Sequence, residues 1–339
     1  MKLNTTFEAY SPGIKYSVLT IYPLILFIGL PGSIISVIVW ARRVPLLSAS
    51  TNMLQMIVSL ADVIAIIMSG VKNLVDTQWD ICTKCRIGCK QLGFLSAFIT
   101  DISSWMILLL CIERAICTWF PVESKRICCR RNGGFAIAAV VQFLFLANIP
   151  LLLWTDNNNP NICGFLDEYR SYYDYWHAID LMLYSALPWL VIFVLNVSII
   201  CRLQRSNTTT DRKSNSKLPK LMKKSQTNQN KRKNRILRTV IYMTIAHIIF
   251  TLPNCLQYVL KNKTDFISIL SETIQLCNHL IHFYIYSLTS SIFMEDLKKL
   301  FPIFFKTKLN CCQKTVSTNQ IETTEKFCHS SKDENNTSC

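Results

Sequence analysis

Seven apolar runs, each about as long as a helix must be to cross the hydrocarbon core of a bilayer, decide what this chain can fold into. They cover residues 16–40, 53–70, 92–119, 135–154, 179–200, 240–260 and 266–288. In lipid, every backbone N–H and C=O must find its partner inside the chain, so apolar runs of this length become helices that pack on one another. The expected fold is an all-α integral membrane protein, a seven-helix bundle. The third run carries Asp101, Ser103 and Ser104, and the last two carry His247, Pro253, His279 and His282. Polar groups at such depth face a bundle interior. No long internal repeat is present, and residues 1–10 lack the apolar core of a cleaved signal peptide.

The charge gives the orientation. Only 17% of the 339 residues are charged, yet the net charge is +15. The loops after the first, third and fifth runs hold nineteen basic residues against two acids, Glu123 and Asp211. The opposite loops hold nine bases and eight acids. By the positive-inside rule the basic loops of this multi-pass chain are cytoplasmic and the N-terminus is outside; the expected location is the plasma membrane. The basic stretch 201–239 is rich in Ser, Asn, Thr and Gln, which predicts a flexible loop drawn to anionic inner-leaflet lipid. A membrane-bound loop of this kind is not a nucleic-acid binder.

The expected organisation is an extracellular N-terminus 1–15, a membrane domain 16–290, an amphipathic surface helix 291–305 and a disordered cytoplasmic tail 306–339. Of fifteen cysteines, four fall on the extracellular side: Cys82, Cys85, Cys89 and Cys163. Cys82-x-x-Cys85 is open to three readings: a local disulfide, free thiols, or a metal or redox pair that lacks a matching partner. Cys311 and Cys312 follow the surface helix, a setting suited to palmitoylation as well as to free thiols. Asn4-Thr5-Thr6 is an extracellular sequon and the expected glycan site. Topology disqualifies the sequons at Asn196, Asn207 and Asn336, and leaves Asn262 open.

At the inner end of the third run stands Glu113-Arg114, with Pro121 seven residues on. Such a pair is either an interfacial anchor or a latch in which the carboxylate holds the guanidinium in one state and releases it in another. Around it lie Asp62 in Ser59-Leu60-Ala61-Asp62, Cys89 twenty-five residues before Arg114, Pro188 in the fifth run, Pro253 in the sixth, and Tyr286 followed seven residues later by Phe293. In order and spacing this set resembles the rhodopsin-like (class A) G-protein-coupled receptors over about residues 16–305, and within them the divergent invertebrate neuropeptide (FMRFamide-like) receptors.

The resemblance implies a receptor for an extracellular ligand that acts on a heterotrimeric G protein. It implies a disulfide between Cys89 and Cys163. Glu113, Arg114, Tyr286, Pro253 and Pro188 become the coupling and switch residues, and Asp62, Ser103 and Asn278 match three ligands of the family's internal sodium site. Helical phase and the resemblance together nominate Ser96, Thr100, Gln257, Tyr258, Glu272, Gln275 and His279 as ligand pocket, with Asp174 on an acidic, aromatic stretch at its mouth. Several positions depart from the family pattern: Ser33 for Asn, Val140 and Val141 near a usual Trp, Thr251 for the sixth-helix Trp, His247 for a Phe, His282-Phe283 for Asn-Pro, and Lys233 for an acid.

Ser96 stands where amine receptors carry an Asp, and the seventh run has no Lys for retinal, so neither an amine nor a retinal mode is expected; the resemblance to neuropeptide receptors implies a neuropeptide ligand. Glu272 is expected to pair with a cationic ligand group or, alternatively, with Lys72. Asp101 is expected to bond to polar groups of the fifth helix or to His247. No cofactor, metal or enzymatic activity is expected. The tail 315–338 offers hydroxyls for arrestin-directed phosphorylation. Rival readings are a secondary transporter using Asp62, Asp101 and Glu272, and a non-peptide chemosensory receptor of the same fold.

Overall fold

The computed structural model describes residues 12–44, 50–79, 86–159, 162–213, 220–260 and 265–302. Its long helices are α1 (Pro12–Arg43), α2 (Ser50–Trp79), α3 (Arg86–Trp119), α4 (Arg130–Trp154), α5 (Leu187–Lys213), α6 (Lys220–Leu260) and α7 (Asp265–Thr289), followed by the short α8 (Ser291–Leu300). Six helical segments are long and apolar enough to cross a membrane: Leu19–Arg43, Ser50–Gly70, Lys90–Trp119, Arg130–Trp154, Ala178–Arg202 and Leu237–Gln257. Helix α7 is outside that set and carries Glu272, Asn278, His279 and His282 within its length.

The bundle is ordered as a membrane demands. Large apolar side chains such as Phe27, Leu146, Leu153, Phe193 and Ile249 are exposed, because lipid rather than water is their solvent. The most completely buried groups include Asp62, Asp101, Ser104, Asn148, His247 and His282. Helix α3 runs through the packing, touching α2, α4, α5 and α6, while α1 packs on α2 and α7. Tyr22, Ile25, Ile66 and Leu276 form the apolar seam between α1, α2 and α7. Small residues permit the close crossings. A Cβ on Gly32 would lie 2.9 Å from the Phe283 ring, and one on Gly133 would lie 2.3 Å from the Ser50 Cβ.

The fifth span is not one uniform helix. A helix Tyr173–Leu181 leads into a π-helical segment, Met182–Ala186, and then into α5. Leu187 N–H donates to the Met182 carbonyl, one residue further back than in an α-helix. The next residue, Pro188, has no N–H to offer the Leu183 carbonyl. The Trp105 indole Nε1–H on α3 takes that place at 3.0 Å. Pro188 thus sits immediately after a π-bulge whose orphaned carbonyl is satisfied from a neighbouring helix.

Two antiparallel strands, β1 (Thr155–Asn159) and β2 (Ile162–Phe165), follow α4 and pair Asn157 with Cys163 across the hairpin. On the inner side, a single helical turn Ser124–Ile127 sits between α3 and α4. The chain divides into two units, Met1–Phe293 and Met294–Cys339. In the first, Ser290 caps α8 by accepting from Phe293 N–H at 3.2 Å. In the second, an exposed Asp296–Lys299 pair at 3.4 Å and the Phe301 N–H to Leu297 carbonyl bond hold the end of the helix.

Candidate functional site

Three polar assemblies lie along the bundle: an outer cavity, a buried carboxylate between two imidazoles, and a latch at the inner end.

The cavity encloses about 290 Å³. Ser96 and Thr100 contribute from α3, and Glu272, Gln275 and His279 from α7. Two acids join them that the nominated pocket set omitted, Asp101 and Asp180, together with Trp176 and Tyr184. Gln257 is not part of the lining; its amide donates to the Ser268 hydroxyl instead. Asn254 lines the wall in its place and donates to Gln275 Oε1 at 2.6 Å. Trp176 is buried against Trp154 at 6.3 Å between ring centres, whereas Tyr175 is exposed. The acidic, aromatic loop therefore splits, with Trp176 in the cavity wall and Tyr175 outside it.

Asp101 is almost wholly buried, and its partner is neither on the fifth helix nor His247. Asn148 of α4 donates its amide to Asp101 Oδ2 at 2.8 Å and to the Leu144 carbonyl at 2.9 Å. The expectation failed because nothing in sequence spacing says which neighbour reaches α3 at that depth. The lone Asn in the apolar run 135–154 was the available signal, since a buried amide requires partners.

Asp62 is held from both sides. His279 Nδ1 lies 2.9 Å from Oδ1 and His282 Nδ1 lies 2.8 Å from Oδ2. An ionised carboxylate only accepts, so both imidazoles donate through Nδ1. The histidines are i,i+3 on α7 and so share a face. His247 of α6 is buried beside them and close to Asn278, and Ser103 of α3 is likewise buried. Two of the three histidines in the last two spans thus converge on one carboxylate.

At the inner end, Arg114 Nη2 lies 3.9 Å from Glu113 Oε1. Thr51 of α2 completes the arrangement, its hydroxyl donating to Glu113 Oε1 while accepting from Arg114 Nη2. Near the inner end of α7, Tyr286 is fully buried in an aromatic group with Trp40 and Phe293, its ring 5.3 Å from Trp40 and 5.6 Å from Phe293. Thr51 and Trp40 have no motif to announce them. Nearby on the inner loop, burial, the Cys117 thiol and the Glu113 carboxylate push the Cys128 thiol up to about 12.

A family model described as 7 transmembrane receptor (rhodopsin family) matches residues 32–294, which contain all three assemblies. The chain belongs to the rhodopsin family of seven-transmembrane receptors. It is a multi-pass membrane protein of the plasma membrane, with α7 as the seventh span. It is also similar to thyrotropin-releasing hormone receptors. It is 24% identical over 191 residues to that of Gallus gallus, covering 53% of this chain and 48% of the relative. Over 232 residues it is 25% identical to that of Bos taurus, covering 65% and 56%, and over 228 residues 24% identical to that of Homo sapiens, covering 64% and 56%. This receptor chain thus spans about half the length of the relatives it matches.

Within this receptor, Glu113, Arg114 and Tyr286 occupy the inner end, and Pro188 and Pro253 lie within the spans that flank the cavity. Thr251, where the family carries Trp, is fully buried and donates its hydroxyl to the His247 carbonyl of its own helix at 2.5 Å. Asn4, Cys82, Cys85, Asn262, Cys311 and Cys312 lie outside the described residues. The side chains of Lys72, Cys89, Cys163, Asp174, Lys233 and Tyr258 do so as well.

Proposed function

We propose that the chain is a receptor for a peptide with a cationic, aromatic-compatible end, and that it relays binding in the outer cavity to a heterotrimeric G protein at the inner end. The observation that carries this reading is the charge of the cavity. Its described lining holds three acids, Asp101, Asp180 and Glu272, and no Lys or Arg. A carboxylate-lined cavity walled by Trp176 suits an ammonium or guanidinium group by ion pairing and cation–π contact. The similarity to receptors named for a releasing hormone supports the peptide class. Glu113, Thr51 and Arg114 form the latch that agonist binding opens, with Tyr286 and Trp40 packed at the same end.

In this reading the two imidazoles on Asp62 take the place of the sodium ion that Asp62, Ser103 and Asn278 would otherwise hold. A Cys89–Cys163 bridge, a glycan on Asn4, acyl chains on Cys311 and Cys312, arrestin at the tail and anionic lipid at the basic third loop belong to the same proposal.

The test is a neuropeptide library screened on cells expressing the full chain with a promiscuous G protein and a calcium reporter. A basic peptide should evoke the response, and Asp180→Asn and Glu272→Gln should each lower its potency roughly tenfold at matched surface expression, the equivalent of about 1.4 kcal/mol. Unchanged potency in both variants contradicts the carboxylate reading. Solute flux without G-protein activation would mark a transporter instead.

A further inference from the structure

We propose that Glu113, Cys117 and Cys128 form a cytoplasmic binding site for a divalent transition-metal ion, and that their donor set selects zinc. One ligand atom from each, a carboxylate oxygen and two thiol sulfurs, lies within 4.8 Å of the other two. Tetrahedral zinc, with metal–sulfur bonds near 2.3 Å and metal–oxygen bonds near 2.1 Å, sets its ligands about 3.5–3.8 Å apart. Closing the set requires a contraction of at most about 1.3 Å, within the reach of side-chain rotation.

The backbone already holds the three in place. Glu113 and Cys117 are i,i+4 on α3 and project from one face one turn apart. Cys128 arrives from the loop and is fixed by main-chain bonds: its N–H donates to the Ser124 carbonyl at 2.8 Å, and its carbonyl accepts from Ser50 N–H at 3.3 Å. Gly133 allows that approach of α4 to the start of α2. The carboxylate has a free valence to offer. Glu113 Oε1 accepts from Thr51, while Oε2 is buried with no hydrogen-bond partner among the described residues. Both cysteines are half-buried free thiols on the cytoplasmic side, where thiols stay reduced. Two sulfurs and one oxygen suit zinc rather than calcium or magnesium, which take oxygen ligands. Sequence spacing hides the site, because Cys128 reaches α3 only through the loop.

Zinc at this point would bind the carboxylate that helps hold Arg114 and would tie α3 to the second cytoplasmic loop. That consequence rests on the coupling role proposed above; the binding does not, and the test below reads binding alone.

The experiment uses the full-length chain in lipid nanodiscs, reduced with a phosphine, stripped of metal and titrated with cobalt(II) and then zinc. A thiolate-to-cobalt charge-transfer band should saturate at one equivalent and disappear as zinc displaces cobalt. Cys117→Ala and Cys128→Ala should each abolish it, and Glu113→Gln should weaken binding about tenfold or more. The wild-type chain gives a second, variant-free reading: zinc should slow alkylation of Cys117 and Cys128 about tenfold or more relative to the other cysteines, read by peptide mass spectrometry. The proposal fails if no band forms, if the band survives in the Cys117→Ala, Cys128→Ala double variant, if zinc leaves the alkylation of both residues unchanged, or if the two are recovered as a disulfide.

Discussion

The Trp105 indole on α3 donates to the Leu183 carbonyl at 3.0 Å, inside the π-helical segment that precedes Pro188. A buried carbonyl facing a proline has no backbone donor, and in lipid no water replaces it. Trp105→Phe keeps the ring that packs 5.6 Å from Phe143 but removes the donor. The expected loss is about 1–3 kcal/mol of stability, seen as a lower melting temperature of the detergent-solubilised receptor. Pro188→Ala, which restores an N–H, should recover part of that loss in the double variant. An unchanged melting temperature in Trp105→Phe would show that the bond contributes nothing.

The latch is a three-body arrangement rather than a simple ion pair, because one Thr51 hydroxyl serves both Glu113 and Arg114. Thr51→Val keeps the shape and deletes both bonds. If they are worth about 1 kcal/mol to the resting state, agonist-independent signalling should rise about fivefold at equal surface expression. Basal second-messenger levels at or below wild type would contradict the latch.

Asp62 already has a nitrogen at each oxygen, 2.9 Å and 2.8 Å away. Replacing sodium by choline at constant ionic strength should therefore leave the melting temperature of the wild-type receptor unmoved. His282→Asn, which frees one oxygen and supplies an amide carbonyl, should introduce a sodium-dependent rise. A sodium-dependent shift already present in the wild type would refute the imidazole replacement.

Asp101 accepts a side-chain hydrogen bond from Asn148. Asn148→Leu leaves a carboxyl at about 1% exposure without that donor and should cost about 1–3 kcal/mol. The loss should appear as reduced surface expression and a lower melting temperature. Adding Asp101→Leu, which removes the buried group altogether, should restore much of the stability. Equal stability of wild type and Asn148→Leu would place the burden on another neighbour.

The seven runs, their orientation and the family were legible in the chain because each is a one-dimensional property. Apolar length determines a span, basic loop content determines a side, and Glu113-Arg114, Asp62 and Tyr286 carry their spacing with them. Part of the cavity wall was legible as well: Ser96, Thr100, Glu272, Gln275 and His279 were nominated by helical phase together with the family resemblance, and all five line it. What the chain could not state was which helix meets which at a given depth. That depends on close crossings such as Gly32 against Phe283 and Gly133 against Ser50, and on the π-bulge before Pro188, which changes the phase of every residue preceding it in the fifth span. Packing alone therefore decided that Asn148 and not His247 serves Asp101, that His279 and His282 share one carboxylate, that Thr51 joins the latch, and that Asp180 faces the cavity. Buried polar groups must be satisfied by whatever lies beside them in three dimensions, and the linear pattern does not encode that neighbour.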